Sequence, residues 1–362
     1  MTKALVFSDL HIHKHKKSVD RLDHCLEALE WVFNTAIMHN CSNIFFLGDL
    51  FHDRANIDVM VMYKASEIFQ HYFLKDPPFT LYLLVGNHDM YHREKWDIHS
   101  VKPFGAMPNI VVVDSPKTIN ISGLDIDFLP HMENPIKEID KLKKNNSRLL
   151  LAHLAVDGAF YNPLYGTKSD VIVETDNDMV KVSPDLFDSW EMTLLGHYHN
   201  AQHLNDKVEY LGSPLELTFG EAFQEKHVII LDLETLEKQY IVNDFSPKHV
   251  IVNVNKADDY DFNNKFVRIT HDGDTSSTQI IDFKNQIRNK FNLLSLDFIP
   301  KDDVKDKQVE IVEDARSILF KEEDMLKTWI DAAGVPAGLT KENLLSYGQM
   351  ICDPNFTMEE DE

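Results

Sequence analysis

Apolar runs alternate with helical stripes through the first half of the chain. Lys3–Phe7 reads as a strand, and Val19, Leu22, Leu26, Leu29, Phe33 and Ala36 fall on one face of a helix. Asn43–Leu47 is again strand-like. Val59–Phe73 reads as a helix whose exit is closed by Pro77 and Pro78, and Leu81–Val85 follows as a strand. Continuous apolar strands separated by helices predict a layered α/β domain. After Pro108 the texture changes. Ile110–Val113, Thr118–Ile121 and Leu124–Leu129 are short and turn-separated, like sheet strands in succession, and Leu149–Ala152, Met192–Leu195 and Val228–Leu233 continue the series.

A domain boundary is expected near Ser246-Pro247. Beyond it, His249–Val254, Phe266–Thr270, a helix across Ile280–Phe291 and Leu294–Ile299 predict a small β-β-α-β unit. Ile311, Ala315, Ile318, Leu319, Met325, Leu326, Trp329 and Ile330 then recur at helical spacing, until Gly334-Val335-Pro336 stops the stripe. Thr340 caps a second short helix carrying Leu344, Leu345 and Tyr347. The expected division is 1–245, 246–300, 301–355 and a disordered acidic tail over 356–362.

With 362 residues, 43% hydrophobic and 26% charged, the chain has the makings of a large buried core. No apolar run approaches the length of a membrane span, and MTKALVFSDLH is not a secretory leader. Cys25, Cys41 and Cys352 share no metal or redox spacing and read as reduced thiols of a cytoplasmic protein. A net charge of −23 opposes free association with nucleic acid or anionic membrane. A reading that invokes DNA must find positive charge elsewhere, and excess acid can serve solubility alone.

The strand ends carry the chemistry. LYLLVGNHDM runs from an apolar strand into Asn87, His88 and Asp89. ALVFSDLH ends in Asp9 and His11, IFFLGDLFHD in Asp49 and His52, LLLAHL in His153, and TLLGHYH in His197 and His199. In an α/β sheet such carboxyl ends gather in one crevice. Carboxylate, amide and imidazole donors without thiolate suit Mn²⁺, Fe²⁺ or Zn²⁺ better than Ca²⁺. Seven candidate ligands exceed one tetrahedral ion and match two metals sharing a carboxylate. Each motif alone is usually a turn; all five in this order are specific.

Asp9-x-His11, Gly48-Asp49, Gly86-Asn87-His88-Asp89, His153 and Gly196-His197-x-His199 resemble the signature of calcineurin-like metallophosphoesterases. GDLFHD and YLGSPLELTFGEAFQEKHVIILD narrow the likeness to SbcD-type DNA repair nucleases, the nuclease half of the SbcC–SbcD complex, which tailed phages also encode in similar form. The motifs cover about residues 1–245; the remainder is similar in architecture only.

The resemblance implies a two-sheet αββα sandwich with a small α/β capping domain over 246–300 and a helical C-terminal segment. It implies one metal on Asp9, His11, Asp49 and His199, and a second on Asp49, Asn87, His153 and His197, both most suitably Mn²⁺. His88 would face the scissile phosphate, with Asp89 orienting its ring, and His52 would serve exonucleolytic cutting. A solvent-facing His at a helix start is the plainer account of His52. His13, His15, His24, His92, His99, His131 and His203 are assigned to the surface or to the surroundings of the site.

The implied activity is duplex-end exonuclease and single-strand endonuclease cleavage of DNA. The implied partners are DNA, a coiled-coil ABC-type ATPase docked on about 308–350, and a second copy of the chain, with no membrane. The expected location is the cytoplasm, the host's if the chain is phage-encoded. Lysines in His13-Lys14-His15-Lys16-Lys17 either contact DNA or solvate a loop. The rivals are a small-nucleotide phosphodiesterase or phosphomonoesterase, and a non-catalytic scaffold of the same fold.

Overall fold

A computed structural model of the chain describes residues 2–15, 18–75, 77–92, 97–162, 167–168, 182–271 and 275–300. The helical segment and acidic tail expected beyond 300 lie outside the described residues, as do Lys16 and Lys17. Four strands open the fold: β1 (Lys3–Phe7), β2 (Asn43–Phe46), β3 (Thr80–Leu84) and β4 (Ile110–Val113), all parallel. α1 (Val19–Met38) and α2 (Val59–Phe73) follow β1 and β2. Next come β5 (Lys117–Ile121), β6 (Leu124–Leu129), α3 (Ile136–Leu142), β7 (Leu149–His153) and a small hairpin of β8 (Phe160–Asn162) and β9 (Thr167–Lys168). β10 (Met192–Gly196), β11 (Gln202–His203), β12 (Val208–Tyr210), β13 (His227–Asp232) and β14 (Lys238–Val242) complete the larger part.

These strands make two six-stranded sheets, ordered β14-β13-β1-β2-β3-β4 and β11-β12-β10-β7-β6-β5. Side chains alternate between layers, as the pleat requires. Leu5, Phe7, Ile44 and Phe46 pack against α1 and α2, while Ala4, Val6, Phe45 and Leu47 pack between the sheets. Leu149 and Leu151 meet them there, and Leu150 and Ala152 face the opposite side. This is the expected two-sheet sandwich.

The helices are started by side chains. Ser18 Oγ accepts from Arg21 N at 3.3 Å, and Asp58 Oδ1 from Met60 N at 2.8 Å. The strands after Pro108 divide between the sheets: β4, β13 and β14 belong to the first, and β5, β6, β7, β10, β11 and β12 build the second. Apolar alternation fixes which face of a strand is buried, not which strand lies beside it.

Beyond 246, β15 (His249–Asn253), β16 (Phe266–His271) and β17 (Ser295–Pro300) form a parallel sheet, with α4 (Ser277–Lys290) crossing from β16 to β17. Ser276 and Gln279 close a capping box at the start of α4. Among the described residues no helix is long and apolar enough to cross a membrane.

Candidate metal centre

β1, β2, β3, β7 and β10 deliver their carboxyl ends to one edge of the sandwich. Three glycines let the two sheets meet there. A Cβ on Gly86 would overlap the Asp49 carboxylate and backbone, one on Gly196 would overlap Ser8 Oγ, and one on Gly48 would lie 2.6 Å from His153 Nδ1. The residues that follow turn sharply: Asp9, His11, Asp49 and His197 all have positive φ, at 53°, 47°, 63° and 111°. Left-handed backbone at non-glycine residues is costly and persists where surrounding structure enforces it.

All seven expected ligands come together. Donor atoms of Asp9, His11 and His199 lie within 4.8 Å of one another, as do those of Asp9, Asp49 and His153. Asp49 Oδ2 sits between two imidazoles, 3.5 Å from His11 Nε2 and 3.4 Å from His153 Nε2, while Oδ1 accepts from His88 N at 2.7 Å. Asn87 Oδ1 faces His153 Nε2 at 2.8 Å and His197 Nδ1 at 3.0 Å. His197 N donates to both Asp9 oxygens, at 3.1 and 3.0 Å.

The donor set fits divalent cations. His153 Nδ1 donates to Leu47 O at 2.6 Å, so Nε2 is the nitrogen that faces Asp49 and Asn87 and would ligate a cation on losing its proton. Nε2 atoms of His11 and His199 stand 3.0 Å apart; one donates to the other, and a cation held by both would take the place of that proton. Burial favours neutral carboxyls, yet His153 and His88 hold the Asp49 carboxyl well below its usual range. Burial likewise opposes a charged His153, but Asp49 and then Asp9 raise its pKa to about 9.

A family model described as calcineurin-like phosphoesterase matches residues 2–209. The chain belongs to that family. The phosphoesterase is 28% identical to exonuclease subunit 1 of Enterobacteria phage T4 over 228 residues, 61% of this chain and 62% of that protein. Putative phosphoesterase 078R of Invertebrate iridescent virus 3 is 24% identical over 179 residues, 49% of this chain and 48% of its own length. Putative phosphoesterase 244L of Invertebrate iridescent virus 6 is 22% identical over 229 residues, covering 61% and 72%. The matched region thus spans about three fifths of the phage protein and half of 078R.

The phosphoesterase places His88 and His52 beside the cluster, their rings stacked at 5.6 Å and 24°. His11, His52 and His88 also bring ring nitrogens within 4.8 Å of one another. Burial, with His88 and His13 alongside, pushes the His52 pKa down to about 3.

Asp89 has a different place from the one expected. Its carboxylate accepts from Asp49 N, Leu50 N and Gly86 N at 2.9, 3.0 and 2.9 Å, so it braces the strand-end loops. The ring of His88 is oriented instead by the carbonyl of His52, which accepts from Nδ1 at 2.6 Å. A short carboxylate in a tight turn reaches nearby amides before its neighbour's ring.

Three features whose roles the sequence left open surround the cluster. His131 is buried, its ring 6.0 Å from His153 and 6.3 Å from His197. His13 and His15 extend the ring cluster from His52, at 5.0 and 5.3 Å. A strap over 213–226 backs His199 through Glu221 and Lys226. Its middle meets the small sheet, where Glu216 lies 3.2 Å from His249 Nδ1 and the Arg268 guanidinium covers the Phe219 ring at 4.0 Å. The Phe-Gly-Glu … Lys pattern marked this strap, but only as a resemblance.

Proposed function

We propose that this phosphoesterase is a DNA nuclease subunit that hydrolyses phosphodiester bonds with two divalent cations, Mn²⁺ by preference. Asp9, His11, Asp49 and His199 would hold one, and Asp49, Asn87, His153 and His197 the other. Such a cation pair polarises a phosphate and acidifies a water. The observation that carries the reading is the place of Asp49 Oδ2, between His11 and His153 at 3.5 and 3.4 Å, where one carboxylate oxygen serves both donor groups.

The chain's own residues do the rest. Asp89 holds the loops bearing Asp49 and Asn87. With Nδ1 of His88 committed to the His52 carbonyl, Nε2 is the nitrogen left to exchange a proton with the oxygen leaving phosphorus. His52 stacks beside it and positions the duplex end. DNA as substrate is supported by the 28% identity to a phage exonuclease subunit. A coiled-coil ATPase docked on about 308–350 and a second copy of the chain complete the assembly, and the ATPase supplies DNA affinity that a net charge of −23 withholds. The site of action is the cytoplasm.

The test is cleavage of end-labelled duplex and single-stranded DNA with Mn²⁺, by the wild-type chain and by His88→Ala, with bis-p-nitrophenyl phosphate in parallel. Shortening of DNA that His88→Ala abolishes, at unchanged metal content, supports the proposal. Turnover of the small diester with no DNA cleavage, even with the ATPase added, would instead establish a small-nucleotide phosphodiesterase. No turnover of any substrate by a chain that binds no Mn²⁺ would leave the scaffold reading.

A further inference from the structure

Behind His199 lies a polar network with no access to solvent. Ser213, Glu221 and Lys226 are 1%, 3% and 2% exposed. Glu221 Oε1 is 3.4 Å from His199 Nδ1. Glu221 Oε2 accepts from Lys226 Nζ at 2.7 Å and Leu217 N at 3.2 Å, with Ser213 Oγ at 2.9 Å. Lys226 Nζ also donates to the backbone carbonyl of His199 at 2.7 Å. His199 is therefore gripped at its ring and at its main chain by one buried ion pair.

A neutral imidazole carries one proton, and the partner of one nitrogen decides what the other can do. We propose that Glu221 is a positioning residue of the metal centre: it accepts the Nδ1 proton of His199 and so presents the Nε2 lone pair, 3.0 Å from His11 Nε2, to a divalent cation. Lys226 keeps the carboxylate charged and aimed. A buried carboxylate without that partner would be strongly disfavoured. The inference rests on the reading of His199 as a metal ligand.

The near-isosteric Glu221→Gln variant separates charge and polarity from packing. Lys226 Nζ and Leu217 N are donors, so they select the amide oxygen for the Oε2 position. The amide NH₂ is then left facing His199 Nδ1, and Thr218 Oγ1, 3.3 Å from that corner, can accept its other proton. A donor facing Nδ1 inverts the tautomer: the proton moves to Nε2, and the lone pair is lost from the metal side.

The experiment uses the full chain. Histidine ¹⁵N resonances of the metal-free protein, with His199 assigned by its loss in His199→Ala, report the tautomer, and calorimetric titration with Mn²⁺ reports affinity. In Glu221→Gln, the His199 proton should move from Nδ1 to Nε2, and Mn²⁺ affinity at one site should fall about 10–100-fold. The melting temperature in EDTA should fall, because buried Lys226 loses its counter-charge, so both readings are taken well below it. An unchanged tautomer, or Mn²⁺ affinity within about twofold of the wild type, overturns the proposal. If Glu221→Gln does not fold, the double variant Glu221→Gln/Lys226→Met removes both charges at similar volume and is held to the same two readings. His199→Ala separates the two levels. Unchanged Mn²⁺ binding in that variant overturns the metal reading itself, whereas loss there with none in Glu221→Gln overturns only the positioning role.

Discussion

The imidazole of His88 and the backbone of His52 are joined by a 2.6 Å hydrogen bond from Nδ1 to the carbonyl oxygen. His52 therefore orients His88 through an atom that side-chain substitution leaves in place. His52→Ala should keep hydrolysis of a small phosphodiester within about tenfold of wild type, whereas His88→Ala should lose roughly 10²–10⁴-fold. Parallel kinetics on bis-p-nitrophenyl phosphate check this. Equal losses in the two variants would show that the His52 ring itself takes part.

Gly86 is where the loops of β2 and β3 touch. An added Cβ would overlap the Asp49 carboxylate and its backbone nitrogen, neither of which is the free end of a flexible side chain. Gly86→Ala should cost about 1–3 kcal/mol, as overpacking does, and should lower Mn²⁺ content. Gly123 is the contrasting position, with φ of +89° and nothing within 4 Å of an added Cβ. Gly123→Ala should cost about 1 kcal/mol through backbone strain alone and leave Mn²⁺ content intact. Chemical denaturation with metal analysis of both variants distinguishes the two costs.

Asp9 and Asp49 are buried carboxylates within one cluster, and each raises the other's cost of ionisation. Cation binding relieves that repulsion, and a ligand bound only by the folded chain adds about 2.7 kcal/mol at a hundred times its Kd. Mn²⁺ should accordingly raise the melting temperature by several degrees over EDTA-treated protein. Asp49→Asn should abolish that increment and should itself melt lower than the metal-free wild type, because the lowered Asp49 pKa marks a carboxylate that the fold stabilises and His153 loses its main charge partner. A Mn²⁺ increment that survives in Asp49→Asn would place the stabilising ion elsewhere.

Sequence pattern and structure agree closely where an apolar pattern has sharp ends. α2, β4 and β6 begin and end at the residues the pattern marks: α2 through one apolar face, β4 and β6 as short runs that bury residues in two layers. Val19 belongs to the apolar stripe of α1 yet is 45% exposed, and burial along the helix starts at Arg21 and Leu22. α3 and β14 were not legible. The first buries only Ile139 and Leu142, and the second is an edge strand with no fully buried residue and no alternation to read. The convergence of five strand ends was legible because parallel strands share a carboxyl edge. The bonds of Asp89 and the reach of Glu221 behind His199 were not, because hydrogen-bond partners depend on how loops close.

Cys25 and Cys41 are buried thiols. Burial raises both pKa values, that of Cys41 to about 11 from a usual value of 9.0. At pH 9 about one per cent of Cys41 would be thiolate, the reactive form. Native protein should therefore resist iodoacetamide at both positions up to that pH and react fully once unfolded, as peptide mapping by mass would show. A raised folded pKa contributes stability that is complete below pH 9 and is lost as pH rises towards 11. Rapid native labelling of Cys41 at pH 8 would contradict its burial.

The strap over 213–226 is supported at several points. Glu221 and Lys226 clamp it to His199, Arg21 of α1 donates to the carbonyls of Glu216 and Leu217, and Glu216 and Phe219 clamp it to His249 and Arg268 of the three-stranded sheet. The small sheet is thus one bearing of a shaft that also rests on His199 and α1. Cutting the chain after residue 245 would leave Glu216 facing no imidazole and Phe219 no guanidinium, and the shaft would lose that bearing. Substitutions in β15 or β16 that never approach the strand-end cluster would still be felt there, as a looser imidazole at His199.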